Sequence, residues 1–190
     1  MSLRGLFKIY QNTLNRRPIL VQAVQTGVLM GAGDVIAQFV VEKKRTLDYP
    51  RTLKFAAMGF FFVGPVLRVW YGILNRQLGS GGKIIGIKKV FCDQAFFAPL
   101  LLGSLLTMVP ASQGKSWELI KEDLKANYGD VLLTNYCIWP FVQVVNFSYV
   151  PLQYQVLVVQ IVALLWNTYL AWKTNLKPTI KPTKISHKTF

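Results

Sequence analysis

The sequence predicts an all-α fold, a polytopic bundle of four to five transmembrane helices with amphipathic helices at the N-terminus and in one loop. The first observation is composition: the 190 residues are 52% hydrophobic and 16% charged, which excludes a disordered chain. The second is that the apolar residues form long runs with at most one charged residue each, separated by basic segments. Such runs lack the polar face of a soluble helix and reach the length of about 20 residues that crosses a bilayer core.

The first 17 residues predict an amphipathic helix. They hold four basic and no acidic residues, a composition typical of a mitochondrial targeting sequence. The apolar face of this helix consists of Leu3, Phe7, Tyr10 and Leu14. The alternative is an interfacial helix on anionic lipid headgroups. Because the segment runs directly into the apolar run at Pro18, we expect no cleavage.

Five apolar helices follow this segment. Hydropathy places them at residues 18–41, 53–74, 89–110, 130–149 and 151–172. The last two come from one uncharged run that as a single helix would measure about 63 Å, so we predict a break at Pro151 and a kink at Pro140. Four spans result if one of these two helices is re-entrant or interfacial. Lys and Arg are divided 13 to 8 between the two sides, but the bias reverses with the number of spans, so charge does not decide the orientation.

Residues 116–128 predict a separate loop helix, capped by Ser116 and ended by Gly129. Its apolar stripe consists of Trp117, Ile120, Leu124 and Tyr128. The helix lies on the membrane surface or, alternatively, is a solvated connector packed on the bundle. We expect residues 1–173 to form a single membrane domain and the basic residues 174–190 to form a flexible tail.

Three charged residues, Asp34, Arg68 and Asp93, interrupt apolar runs. A charge in hydrocarbon costs at least about 2.5 kcal/mol, so each of them needs a partner or a water-filled cavity. We predict that Arg68 pairs with one of the aspartates, either lining a polar lumen or fixing helix packing as a structural ion pair. The fourth apolar helix adds amides at helical spacing, namely Asn135, Gln143 and Asn146. These amides either line a hydrated path or join helices by hydrogen bonds.

Small residues predict close helix packing in the first apolar helix. Gly27 and Gly31 form a small-x-x-x-small pattern, which Gly33 extends. Because this pattern is common in apolar helices, it indicates packing within the chain more than a dimer face, and it leaves a homo-oligomer open.

No sequence pattern indicates an enzyme, a metal site or a cofactor. The sequence has neither Cys or His at metal-ligand spacing nor a phosphate-binding loop or nucleophile elbow. Cys92 and Cys137 are either packing residues or redox-sensitive thiols. Of the 22 basic residues, 21 flank the apolar runs, so the net charge of +14 reflects membrane flanking and we expect no direct nucleic-acid partner.

Four sequence motifs resemble the Mpv-seventeen family of mitochondrial and peroxisomal membrane proteins. The first motif is Gly33-Asp34 followed by Gln38, and the second is Asp48-Tyr49-Pro50-Arg51-Thr52 followed by Gly64-Pro65 and Trp70-Tyr71. The third is Asp93-Gln94 with Ala98-Pro99, and the fourth comprises Asn135, Trp139, Pro140, Gln143, Asn146, Pro151 and Tyr154, followed by Trp166. The chain departs from the family pattern at Gln155, where Arg is frequent, and at Arg68, where His or Gly is frequent.

The resemblance implies a multi-pass protein of the mitochondrial inner membrane or, alternatively, of the peroxisomal membrane. It also implies a non-selective or weakly selective channel, linked to mitochondrial DNA maintenance. We expect such a channel to pass small solutes, and its basic mouths to attract anionic metabolites. The alternative function is a non-transporting membrane scaffold. Apart from the lipid bilayer and these solutes, the sequence indicates no partner.

Overall fold

A computed structural model describes the backbone of residues 3–175 and, within that range, all side chains except those of residues 3–4, 6–7 and 166–175. All of its regular elements are helical. The α-helices are α1 Leu3–Arg16, α2 Pro18–Ile36, α3 Tyr49–Met58, α4 Gly64–Leu78, α5 Lys83–Cys92, α6 Ala98–Ser112, α7 Trp117–Tyr149 and α8 Leu152–Asn175. Three five-residue π-helices lie between or after them: π1 Ala37–Val41, π2 Gly59–Val63 and π3 Asp93–Phe97. The all-α prediction is confirmed, whereas the predicted tail falls almost entirely outside the described residues.

The π-helices continue the α-helices without a break and so produce three long helices. These are the first long helix Pro18–Val41, the second Tyr49–Leu78 and the third Lys83–Ser112, each long and apolar enough to cross a membrane. Pro65 and Pro99 follow π2 and π3 by two residues. Proline lacks the N–H of an α-helical bond and its ring crowds the preceding turn, which a locally wider helix accommodates.

The fourth long helix, α7, differs from the sequence prediction. It runs for 33 residues and joins the predicted loop helix to the fourth apolar helix, so the predicted end at Gly129 is wrong. The Ser116 side chain caps it by accepting a hydrogen bond from the Leu119 amide. Glycine inside a helix costs only about 0.5–1 kcal/mol, and packing of α7 along α6 outweighs that cost. The predicted break at Pro151 is confirmed, because α7 ends at Tyr149.

Contacts between helices fix their directions. Neighbouring long helices run antiparallel. The contacts are Gly27–Ala56 and Ala23–Gly64 for the first and second, Trp70–Asp93 and Asn75–Lys89 for the second and third, and Pro99–Tyr128 and Gly86–Ser148 for the third and α7. In contrast, α8 is parallel to the first long helix, since Gln22 donates to the Gln153 carbonyl and Gly33 lies against Leu164. The five helices therefore alternate in direction, which favours the five-helix arrangement over the four-helix one.

The alternation defines two ends of the bundle. Residues 42–48 and 113–116 lie at one end, which we call the Glu42 end. Residues 79–82 and 150–151 lie at the other, which we call the Gly79 end. The start of the first long helix lies at the Gly79 end, next to α1, whose Leu14 is buried as the predicted apolar face requires.

Glycines let the first and second long helices approach closely. A Cβ atom on Gly27 would lie 2.9 Å from the Ala56 carbonyl oxygen, and one on Gly31 would lie 3.3 Å from Ala56 Cβ. Gly33 instead faces α8, where a Cβ would lie 3.1 Å from a Leu164 methyl carbon. All three predicted packing glycines thus contact helices of the same chain.

Candidate functional site

The interior of the bundle contains many polar side chains. Among the described residues it buries ten uncharged or acidic polar side chains and one lysine, Lys89, contributed by the first and third long helices, α7 and α8. On the first long helix these are Gln22, Thr26, Asp34 and Gln38, which recur every four or eight residues and are 0–4% exposed. With a rise of 1.5 Å per residue, this stripe extends for about 24 Å, most of a hydrocarbon core of about 30 Å.

The stripe ends at a carboxylate cluster near the Glu42 end. Asp34 Oδ2 accepts hydrogen bonds of 2.6 Å from both Gln38 Nε2 and Thr52 Oγ1. Asp34 Oδ1 forms an ion pair with Arg51 Nε at 2.7 Å. Gln38 Oε1 in turn accepts a 2.7 Å hydrogen bond from the Asp48 amide. The first sequence motif and the Asp48–Thr52 part of the second therefore meet at one site and join the first long helix to the start of the second.

Arg51 connects this buried cluster to the surface. Its two terminal nitrogens lie 2.8 and 2.9 Å from the two carboxylate oxygens of Glu42, which gives a bidentate pair. The Arg51 hydrogen bonds are the main reason that the pKa of Glu42 is lowered, against a smaller opposing effect of burial. Lys44 lies 3.3 Å from Glu42 as a second, exposed partner. One arginine thus bridges a buried acid and a surface acid.

A second cluster surrounds Asp93 at the centre of the third long helix. Asp93 Oδ1 accepts a 2.8 Å hydrogen bond from Trp70 Nε1, and Oδ2 accepts from Gln94 Nε2 at 2.9 Å and Gln143 Nε2 at 3.2 Å. Three donors saturate the carboxylate without a cation among the described residues, and such donor-only contacts satisfy its ionised form.

Hydrogen bonds extend this cluster across α7 to α8. Gln143 also donates to the Tyr71 hydroxyl at 2.8 Å and accepts from Asn146 at 3.0 Å. Gln155 on α8 donates to the Asn146 carbonyl at 3.5 Å. The start of α8 therefore lies between the Asp93 cluster and Gln22, whose amide reaches the Gln153 carbonyl on the same turn.

Two of the residues predicted from the sequence lie at the edge of this network or outside it. Asn135 is half-buried and donates to Gln94 Oε1 at 3.4 Å. Arg68 forms no ion pair with either aspartate, so the predicted pairing is wrong. It stands two residues before Trp70, which turns it about 160° around the helix from the residue that reaches Asp93. Its Nη1 atom is buried without a hydrogen-bond partner among the described residues.

Several residues of the fourth motif lie around the polar clusters. Trp139 packs against the apolar core, and Pro140 lies inside α7. Pro151 separates α7 from α8, and the Tyr154 hydroxyl accepts a 3.1 Å hydrogen bond from Gln11 of α1. Trp166 belongs to α8, but its side chain lies outside the described residues. The two cysteines are free thiols, with Cys92 half-buried and Cys137 exposed.

Several buried polar atoms near the stripe have no hydrogen-bond partner among the described residues. They are Gln22 Oε1, Thr26 Oγ1, Asn146 Oδ1 and Gln155 Oε1. A buried polar atom without a partner costs about 1–3 kcal/mol, which water or a polar solute can relieve. Two clefts open on the outer surface of the bundle, and neither is lined by Asp34 or Asp93.

Sequence reasoning missed the partners of both aspartates. Arg51 and Thr52 precede the predicted second apolar helix, which was expected to begin at residue 53 although the helix begins at Tyr49. Trp70 donates to Asp93 and Tyr71 accepts from Gln143, roles that their position in an apolar run did not indicate. Both pairs belong to the quoted motifs, and that co-occurrence with Asp34 and Asp93 is the signal that could have located them.

The fold and the polar interior define a polytopic helical membrane protein. The sequence matches the model of the Mpv17 / PMP22 family over residues 111–171. It is 46% identical to the mitochondrial inner membrane protein Mpv17 of Xenopus laevis over 91% of this chain and 99% of that protein. It is 41% identical to the protein of that name in Danio rerio over 91% and 99% of the two chains, and 42% identical to that in Homo sapiens over 90% and 98%.

The chain therefore belongs to the Mpv17 / PMP22 family, and it is a protein of the mitochondrial inner membrane. No solved structure matches it.

Proposed function

We propose that this protein is a channel of the mitochondrial inner membrane that passes small solutes with little selectivity. The observation that carries the proposal is the buried polar stripe of the first long helix, which extends over about 24 Å of the membrane. Buried polar groups in a membrane are costly and are found mostly where they face a partner or a hydrated path.

In this proposal the described conformation is taken as a closed state of the channel. The stripe residues are packed against the second long helix and α8, and opening separates these helices so that water reaches the unpartnered oxygens of Gln22, Thr26 and Gln155. Two π-helices lie within the second and third long helices and one ends the first, and π-helical segments occur frequently at functional sites.

Opposing charges account for weak selectivity. The basic segments at both ends raise the local concentration of anions such as metabolites, in keeping with the net charge of +14. Within the bundle, however, Asp93 carries a negative charge without a cation among the described residues. An entrance that attracts anions and an interior that holds both a buried acid, Asp93, and a buried base, Lys89, give little net preference.

The test is conductance of the purified protein in planar bilayers under a salt gradient. We expect the wild-type protein to conduct. In Asp93→Asn we expect the reversal potential to shift in the direction of a higher anion permeability. Asp130→Asn is the matched control, because Asp130 is an exposed acid of α7 outside the network. A silent bilayer with protein of intact helical content contradicts the proposal, as does an equal shift in both variants.

We extend the proposal to mitochondrial DNA maintenance, which the channel supports by supplying small solutes. Cells lacking the protein should lose mitochondrial DNA copy number, and the wild type should restore it. A folded variant without conductance in the bilayer assay should not restore it. Full restoration by that variant contradicts the link between conduction and DNA maintenance.

A second candidate is a non-transporting scaffold, which the exposure of Trp117 on α7 favours, at 52%. This function predicts proteins that co-purify with the wild type and are lost from Trp117→Gln. Unchanged complexes contradict it.

A further inference from the structure

A cleft of about 770 Å³ lies on the outer surface between π2, α6 and the first third of α7. Its walls include Phe62, Leu100, Ser104 and Met108, and its lining also contains Lys125 and Tyr128. Small residues on α6 form the depression, since Gly103 lies opposite the Tyr128 ring, 3.6 Å from where a Cβ atom would stand. The cleft belongs to neither polar cluster.

The interior of the cleft is effectively apolar, because its hydroxyl groups are already bonded to backbone. Ser104 donates to the Leu100 carbonyl and Thr107 to the Gly103 carbonyl, each at 2.8 Å. The Tyr128 hydroxyl donates to the Pro99 carbonyl at 3.0 Å. With these groups satisfied, the walls offer a hydrocarbon chain dispersion contacts and no competing polar group.

The mouth of the cleft is positively charged. Lys125 lines it and belongs to none of the ion pairs between described residues, whereas Asp123 on the same helix is paired with Lys115. Glu122, one turn before Lys125, is exposed and does not line the cleft. Lys54 adds a second cation near this end of α6, where its Nζ donates to the Ser112 carbonyl at 2.7 Å.

The depth of Lys125 suits a lipid headgroup. Because Tyr128 contacts Pro99 and Gly103, Lys125 lies one turn nearer the Glu42 end, level with residues 103–107 of α6. Those residues are roughly 8–14 Å from the end of α6 at Ser112. Side chains on a helix point towards its N-terminus, so the Lys125 ammonium is directed to the membrane surface at the Glu42 end.

We propose that this cleft binds one anionic phospholipid, with an acyl chain between α6 and α7 and the phosphate at Lys125. The bilayer is the medium that covers this face, since α6 has no buried residue along its length. A basic residue at the polar end of an apolar cleft matches the two parts of such a lipid. The proposal does not depend on conduction.

The test uses native mass spectrometry of the full-length protein equilibrated with equal amounts of phosphatidylglycerol and phosphatidylcholine in mixed micelles. The wild type should retain phosphatidylglycerol preferentially. Lys125→Gln should reduce the ratio of bound phosphatidylglycerol to phosphatidylcholine by about fivefold, the effect of one lysine on an anionic headgroup. The matched control is Lys121→Gln, because Lys121 lies over the Trp117 ring, 5.3 Å from its centroid, and does not line the cleft.

A second variant tests the acyl chain. Ser104→Phe fills the cleft and removes only a hydroxyl bonded to its own helix, so we expect loss of the retained lipid of both kinds. If Ser104→Phe does not fold, as judged by its helical content, Thr107→Leu serves the same purpose. Equal ratios for Lys125→Gln and Lys121→Gln overturn the proposal. Unchanged lipid retention in a folded cleft-filling variant also overturns the proposal. This holds even if that variant dissociates a dimer.

Discussion

The close approach of Gly59 to the backbone of the first long helix gives a stability prediction with a definite sign. Gly59 in π2 faces the first long helix, and a Cβ atom there would lie 2.7 Å from the Thr26 carbonyl oxygen and 2.9 Å from Gly27 Cα. Both atoms belong to the backbone, so no side-chain rotation can relieve the contact. Gly59→Ala must therefore push the first and second long helices apart.

Gly72 in α4 provides the matched control. A Cβ atom there has no neighbour within 4 Å, so Gly72→Ala gains the helix preference of alanine, about 0.5–1 kcal/mol, without a clash. At Gly59 the same gain is opposed by overpacking of about 1–3 kcal/mol. The two variants should therefore differ by about 1–3 kcal/mol in the free energy of unfolding.

The assay is thermal unfolding of both variants in the same detergent, followed by circular dichroism. For a chain of this length, 1 kcal/mol shifts Tm by about 2–4 °C, so Gly59→Ala should unfold about 2–12 °C below Gly72→Ala. If the two variants unfold at the same temperature, the close approach of the helices at Gly59 is wrong.

Three further predictions concern the polar clusters. Trp70→Phe keeps the ring but removes the N–H that donates to Asp93, which should cost about 1.5–3 kcal/mol in the unfolding assay; an unchanged Tm contradicts that hydrogen bond. Arg51→Gln leaves the buried Asp34 carboxylate without its cation and should lower the free energy of unfolding by an amount near the low end of about 3–5 kcal/mol, because the Arg51 side chain keeps 23% exposure. Adding Asp34→Asn should recover part of this loss in a double-mutant cycle, and simple additivity of the two substitutions contradicts the ion pair. Because Arg51 lowers the pKa of Glu42 below its ordinary value of 4.5, the stabilisation by Glu42 is complete above that pH and is lost as pH falls below it. Between about pH 6 and pH 3, Tm should therefore decline less steeply for Glu42→Gln than for the wild type. Equal slopes contradict the pairing of Glu42 with Arg51.

The helical architecture could be predicted because bilayer thickness and proline impose strong local constraints. The break at Pro151 follows from the missing N–H of proline and from a run too long for one span. The continuation of α7 through Gly129 could not be predicted in this way. It depends on packing against α6, including the Tyr128 hydrogen bond to Pro99, and such a contact 29 residues apart in sequence leaves no local signal.

The candidate site was only partly predictable for a similar reason. The rule that intramembrane acids need partners located Asp34 and Asp93, which are both buried. It did not give the partners, because Arg68, the cation predicted to pair with them, faces away from Asp93, and Lys89, one turn before Asp93, donates to Asn75 instead. The rotation of a helix about its axis decides which side chain meets an acid, and that rotation is set by packing between helices.

Cysteine accessibility along the first long helix tests the central claim, that its buried polar stripe forms the conduction path. In a background with Cys92→Ser and Cys137→Ser, single cysteines replace Gln22 and Thr26 of the stripe or the exposed Val24 and Val28. Each variant is treated with a charged, water-soluble thiol reagent during conductance recording. We expect the reagent to change the conductance of the Gln22→Cys and Thr26→Cys variants and to leave that of the other two unchanged. Unreactive stripe cysteines in a conducting protein, or equal effects at all four positions, contradict the account.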